Sequence, residues 1–385
     1  MRTLVAGVII LPFFVLAFAG CEAPGNRSAA ETRDIDHVTP VVASRSEQHQ
    51  WTGVAVDQMG RVFVNFPRWG EPYRHAVEEI NLATDARRAY PDEAWNAWQP
   101  GEDPGSAFVC VQSVHVDARQ RLWILDPASP GFGGVVPGGA KLVEIDLERD
   151  EPVRTISFDA TVAPEASYLN DIRIDEATDT AFITDSGLGA IVVIELATGK
   201  MRRRLTNHAS TKAEPGVVPI VGGRGWRVGG SADGPVPQVH ADGIALDREN
   251  RWVYWQALTG RTLYRAPMAL LGDLSISEER LALAVERVAE TVVSDGMIAD
   301  RLGNLYFTAL ERDAVVVRTP RGELQILAQG PEIAWPDSFA LGPGPQLWLT
   351  TSQIHRMPAF TGSDAPPDTP YLLLRLALPE ASIRP

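Results

Sequence analysis

The sequence predicts an all-β protein, a six-bladed β-propeller built as one domain. Two observations carry that reading. One hairpin pattern recurs six times, opening at Thr52, Gln112, Asn170, Asp242, Asp295 and Asp337. Each copy consists of short runs with alternating apolar positions, separated by turn residues, with almost no helical spacing. Repeats of this size, each holding several short strands, are the signature of propeller blades. The chain has 385 residues, more than an ordinary domain of about 100–200. A ring of blades resolves that excess, because one blade cannot bury both of its faces and must stack on its neighbours.

Taken in order, the chain opens with Arg2 and an apolar run from Leu4 to Ala19, broken by Gly7 and Pro12. The run is short and interrupted for a membrane span, and small residues follow it, so residues 1–20 read as a secretory signal peptide. Phe18-Ala19-Gly20-Cys21 resembles a bacterial lipobox, in which Cys21 is lipidated and becomes the first mature residue. Ala17-Phe18-Ala19 is also an A-x-A cleavage site, which would release a soluble protein. The lipoprotein is favoured, because Cys21 directly follows the apolar run in a chain with only 2 cysteines. Glu22 after it leans towards outer-membrane sorting. The expected location is therefore the periplasmic or outer-membrane envelope, with the lipid anchor as the sole membrane contact, or full secretion. Residues 21–46 lack apolar periodicity and are expected to form a flexible tether. The propeller is expected over residues 47–385, as a monomer.

The first strands of the blades are Thr52–Asp57, Gln112–Asp117, Asn170–Asp175, Asp242–Asp247, Asp295–Asp300 and Asp337–Gly342. An acidic residue closes each except the last, where Gly342 stands. Second strands follow at Arg61–Asn65, Arg121–Leu125, Thr180–Thr184, Arg251–Trp255, Asn304–Thr308 and Gln346–Thr350. Third strands are visible at Lys141–Asp146, Ala190–Glu195 and Ala314–Arg318. Between Ser277 and Glu290, Leu281, Val285 and Val288 fall at helical spacing, consistent with a helix or with a strand insertion. The second acidic set, Asp57, Asp117, Asp175, Asp247 and Asp300, reads as turn chemistry.

In a propeller the inner strands line the axial channel, so equivalent positions form a ring. The first position carries Thr52, Gln112, Asn170, Asp242, Asp295 and Asp337, each with a side-chain oxygen and three of them carboxylates. If they face the axis, their like charges repel and require neutralisation. A hard cation on oxygen ligands, most plausibly calcium on Asn170, Asp242 and Asp295, would supply it. So would a cationic organic ligand or an unusual proton on one carboxylate. A single Asp before Gly, by contrast, often only opens a turn.

His240 lies two residues before Asp242 and is the candidate general base. His115 and His355 read as structural, and Cys110 as a buried strand residue. The glycine-rich insertion 206–241, with Trp226, leads into His240 and Asp242 and is expected to cover the mouth as a lid. Trp51, Tyr168, Trp335 and Phe339 are candidate pocket aromatics. No Ser-His-Asp, phosphate-loop or H-E-x-x-H pattern appears. With 49 acidic against 35 basic residues and a net charge of −14, nucleic acid is excluded as a partner, because phosphate binding needs a positive surface. Two cysteines exclude a disulfide scaffold and multi-cysteine zinc sites.

Several ordered segments carry a family resemblance. Val62-Phe-Val-Asn-Phe-Pro-Arg-Trp69, Arg121-Leu-Trp-Ile-Leu-Asp126, Tyr168-Leu-Asn-Asp-Ile172 and Ala181-Phe-Ile-Thr-Asp-Ser186 resemble motifs of the yellow and major royal jelly protein family. Ala241–Leu246, Ser294–Met297, Trp335–Phe339, Leu347–Ser352 and Ile354–Arg356 follow in the family's order, so the resemblance covers about residues 50 to 360. It implies a six-bladed propeller. Insect members include pigmentation proteins linked to dopachrome conversion, nutritive secreted proteins, and salivary proteins that bind biogenic amines in the central channel. Their disulfides are not matched here.

A wider resemblance is to gluconolactonase-like propellers, which hold calcium on a Glu, Asn and Asp set at the same register. Asn170 and Asp242 match it, and the Glu position falls on Thr52 or Gln112. The leading expectation is a small polar or aromatic molecule, cations included, bound in the channel. The alternatives are a calcium-dependent lactonase-like hydrolase or dopachrome-type isomerase, and a protein-interaction scaffold.

Overall fold

The computed structural model describes residues 37–70, 73–247, 249, 251–363 and 370–382. The signal peptide, Cys21 and most of the tether lie outside them. Six four-stranded antiparallel sheets form a nearly all-β ring. Their innermost strands are Val54–Val56, Ser113–Val116, Leu169–Asp175, Ala241–Leu246, Ser294–Ala299 and Pro336–Leu341. Each of these contacts the next, and the sixth returns to the first, which closes the ring around an axial channel.

The sixth blade is closed by the other end of the chain. Its outermost strand is Val41–Ser46, paired antiparallel with Tyr371–Ala377, so that Ser46 faces Tyr371 and Val41 faces Arg375. The tether expected over 21–46 therefore ends earlier. The strand has no turn partner beside it in sequence, and its pattern becomes legible only once its distant partner is known. This pairing ties the two ends of the domain together across the sheet.

An apolar cluster fills each seam between blades. Phe63, Val77, Leu122 and Ile124 join the first and second blades, and Trp123, Leu142, Ile172 and Ile183 the second and third. Phe182, Val193, Ile244 and Trp255 follow, then Ala245, Leu263, Met297 and Phe307. Val315, Leu327, Phe339 and Leu349 fill the fifth seam, and Val54, Val62, Trp348 and Leu373 the last. The period-2 alternation thus feeds two seams per blade, one from each face. Cys110 lies fully buried in the seam between the second and third blades, and burial pushes its thiol pKa upwards.

The second acidic set does turn chemistry. Asp57 accepts from the N–H groups of Met59 and Arg61, Asp117 from Arg119 and Arg121, and Asp300 from Leu302 and Asn304, at 2.8–2.9 Å. Asp117 also accepts from the Trp123 indole at 2.9 Å. In the last copy, Gly342 replaces the aspartate. A Cβ there would stand 2.5 Å from Trp348 Nε1, and that indole has no partner. Between Ser277 and Glu290 the chain forms a short helix, Glu278–Ala282, capped by Ser277, and then the outer strand Glu286–Glu290.

Candidate functional site

The inner strands of the last four blades share one irregularity. The pairing register breaks between Leu169 and Ile172, Ala241 and Ile244, Ser294 and Met297, and Pro336 and Phe339. Each break releases two residues: Asn170-Asp171, Asp242-Gly243, Asp295-Gly296 and Asp337-Ser338. Bulges of this kind re-aim side chains and leave backbone N–H groups without ladder partners. Threonines on the second strands satisfy them. Thr308 Oγ1 accepts from the N–H groups of Asp295 and Gly296, both at 2.9 Å, and Thr184 accepts from Asp171 at 3.1 Å. Gly243 and Gly296 are required by the next blade: a Cβ would stand 2.7 Å from the Asp295 carbonyl oxygen and 2.2 Å from that of Asp337, respectively.

The bulges bring the expected ring together in part. Asn170 Nδ2 donates to Asp242 Oδ1 at 2.5 Å. The Asp242 and Asp295 carboxyls are neighbours in one buried electrostatic cluster, an arrangement that favours a proton held between them. Asp295 Oδ2 accepts from Trp335 Nε1 at 2.7 Å. Asp337 belongs to the same electrostatic cluster, and its Oδ2 is buried without a partner. No basic side chain forms an ion pair with Asp242, Asp295 or Asp337 among the described residues. Burial, and then the neighbouring carboxylates, push Asp242 and Asp337 well above the ordinary carboxylate range. Burial raises Asp295 to about 7, against the pull of the Trp335 indole.

Above this floor lies a cavity of about 440 Å³, into which Gln112, Asn170, Asp242 and Asp295 project. Its walls are aromatic, with Trp69, Phe132 and Tyr168 on one side and Trp226, Trp335 and Phe360 on the other. Trp69 and Phe132 stack at 5.0 Å, and Phe132 lies 5.4 Å from Tyr168. The Tyr168 hydroxyl accepts from Trp69 Nε1 at 2.7 Å and donates to Gln112 Oε1 at 2.9 Å. Trp226 packs on Trp335 at 5.0 Å and on Phe360 at 4.8 Å, and its Nε1 is buried without a partner. Phe132 and Trp335 both hold φ above zero, at 58° and 51°. Bulky residues pay strain in that region, and such strain collects at functional sites.

The insertion 206–241 does reach the mouth: Trp226, Val228, Pro237, Gln238 and Val239 line the cavity. Other expectations are corrected. Thr52 does not face the cavity. Its hydroxyl donates to the Gln112 carbonyl at 3.0 Å and accepts from Asn65 Nδ2 at 2.8 Å, which holds it between the first two blades. Asp337 lies in the cluster but is not part of the cavity wall. His240, expected as a general base, also lies off the wall. Its Nδ1 accepts from the Ala213 N–H at 2.9 Å, and burial followed by Lys212 lowers its pKa, so it anchors the insertion. Of the candidate aromatics, Tyr168 and Trp335 line the cavity, while Trp51 is buried against Phe66 and Phe339 sits at the other end of the channel. Trp69, Phe132 and Phe360 were not among them. Phe132 stands among glycines in Pro130–Gly134, and an aromatic in such a loop is the signal that marks it.

The calcium set fares poorly against the donor geometry. The glutamate position of the gluconolactonase-like set falls on Thr52, whose hydroxyl is engaged by Gln112 and Asn65, or on Gln112, which accepts from Tyr168, and Asn170 turns its amide nitrogen to Asp242. Among the described residues, no group of three His, Cys, Asp or Glu is arranged to hold a metal ion.

The family described as "Major royal jelly protein" matches residues 109–365. No curated protein matches the chain in sequence. Among solved structures, the calcium-binding protein regucalcin from Agrobacterium tumefaciens aligns with a TM-score of 0.54 at 14% identity, over 89% of this chain and 94% of that one. A gluconolactonase from Xanthomonas campestris aligns at 0.52 and 12% identity, over 90% and 91%. The PQQ-bound aldose sugar dehydrogenase from Streptomyces coelicolor aligns at 0.52 and 12%, over 90% and 99%. At these identities the similarity is one of fold.

Proposed function

The chain belongs to the major royal jelly protein family, and from that premise we propose that it binds a small organic cation with an aromatic body in the acidic cavity. The carrying observation is the pair Asp242 and Asp295, buried, in mutual contact and without a basic partner, beneath two aromatic walls. An ammonium group seated there would replace the shared proton and relieve the like-charge contact. The aromatic body would lie between Trp69–Phe132 and Trp226–Phe360, where ring faces also favour cations. The orphan Trp226 Nε1 offers a donor to a ligand hydroxyl.

The test is calorimetric titration of phenethylamine into the native protein and into the double variant Asp242→Asn/Asp295→Asn. Saturable binding is expected only in the former; equal affinity in both would sink the reading. A calcium-assisted hydrolase predicts instead that calcium raises the melting temperature and chelator lowers it. A scaffold role predicts neither amine nor calcium binding.

We further propose export, with Cys21 as the lipidated first residue. Labelling with radioactive palmitate should mark the native chain and not Cys21→Ala. Equal labelling of both would remove the anchor.

A further inference from the structure

The opposite end of the channel is built differently. The C-terminal ends of the inner strands enclose a second chamber of about 350 Å³. Its walls are aliphatic, including Val54, Val56, Val116, Ile298 and Leu341. Among its charged lining residues is Arg173, which is 9% exposed. The guanidinium donates to the carbonyls of Ile172 and Met297, both at 2.7 Å. Its nearest carboxylate, Asp171 Oδ2, stands at 3.6 Å, beyond good hydrogen-bonding distance. Asp171 is itself held by Ser113 at 3.1 Å. Arg173 Nε is buried without a partner.

His115 lines the same chamber, and its ring makes no hydrogen bond among the described residues. Burial and then Arg173 lower its pKa to about 3, so it offers one N–H and one acceptor as a neutral ring. The carboxylates at the rim are already engaged. Glu176 accepts from Ala118, Asp247 from Arg251 and Trp252, and Asp300 from Leu302 and Asn304.

The Arg173–Asp171 ion pair is loose at 3.6 Å and the Arg173 Nε–H makes no hydrogen bond among the described residues, so the buried guanidinium can take a further acceptor. The guanidinium fork matches a carboxylate, and the aliphatic wall suits a short hydrocarbon tail. We propose that this second chamber binds a small aliphatic monocarboxylate, its carboxylate on Arg173 and the His115 N–H and its tail along the valine and leucine wall. The site shares no lining residue with the acidic cavity.

Calorimetric titration of hexanoate tests it on the full-length protein. The native chain should bind hexanoate saturably, acetate more weakly, and hexylamine not at this site. Arg173→Met should weaken hexanoate by at least about tenfold. Ala299→Trp, which fills the chamber and leaves Arg173 in place, should do the same, and it decides the matter if Arg173→Met does not fold. Absence of saturable hexanoate binding, undiminished binding in Ala299→Trp, or inorganic phosphate binding as tightly as hexanoate would each overturn the proposal.

Discussion

The two ends of the channel are made by the same six strands, yet they carry opposite chemistry. At the entry end, bulges in four blades project Asn170, Asp242, Asp295 and Asp337 towards one another. Long loops add Trp69, Phe132, Trp226 and Phe360 above them. At the exit end the strands keep their regular pairing, the loops are tight aspartate turns, and the chamber is aliphatic with Arg173 at its base. The difference teaches where a repeat fold places its chemistry. Regular pairing makes the wall, and broken pairing with long loops makes the acidic site.

The largest expected effect that breaks this contrast is on the bulge itself. Gly296→Ala drives a Cβ to 2.2 Å from the Asp337 carbonyl oxygen. It should cost about 3 kcal/mol of stability, read as a lowered urea midpoint, whereas an alanine at Gly70, where a Cβ meets nothing within 4 Å, should not. An unchanged midpoint for Gly296→Ala would deny the bulge its role.

Next comes the charge of the acidic end. Asp242→Asn/Asp295→Asn should abolish saturable phenethylamine binding, a loss of at least about 100-fold in affinity. The same removal has a pH signature. Asp295 has its folded pKa raised to about 7, so the folded state holds a proton that the unfolded chain gives up near pH 4. Its contribution to stability is therefore favourable at low pH and is lost as pH rises through about 7. Asp295→Asn should gain stability over the native protein at pH 8 and lose that advantage by pH 4, measured as the difference in urea midpoints. The difference matters because the histidines His49, His208 and His240, with lowered pKa values, act in the opposite sense between those limits.

A smaller effect is expected from the wall. Trp226→Ala should weaken phenethylamine by about tenfold, with no effect on hexanoate. The smallest concern His240 and calcium. His240→Ala loses one hydrogen bond to Ala213 and should cost about 1 kcal/mol without moving amine affinity. Calcium at millimolar concentration should leave the melting temperature unchanged. A loss of binding in the first case, or a calcium-dependent rise in the second, would restore the roles expected from sequence.

Much of this was legible in the sequence, for a physical reason. Strand alternation and the aspartate turns repeat in every blade, so the six inner strands and the carboxylate register could be read by aligning the chain with itself. The closing strand Val41–Ser46 could not, because its only partner is at the far end of the chain. Thr52 aligns with the ring in register, but Asn65 and the Gln112 carbonyl hold its hydroxyl. The aromatics of the cavity come from loops, which do not repeat. His240 was read as functional from proximity in sequence, while the strand start at Ala241 directs its ring towards Ala213.

The central claim is that Asp242 and Asp295 share a proton that a bound cation displaces. The direct measurement is calorimetric titration of phenethylamine at pH 6 in buffers of different ionisation enthalpy. The account expects release of about one proton per amine bound, and no saturable binding of the neutral isostere 2-phenylethanol. Amine binding without proton release, or equal binding of the alcohol, would contradict it.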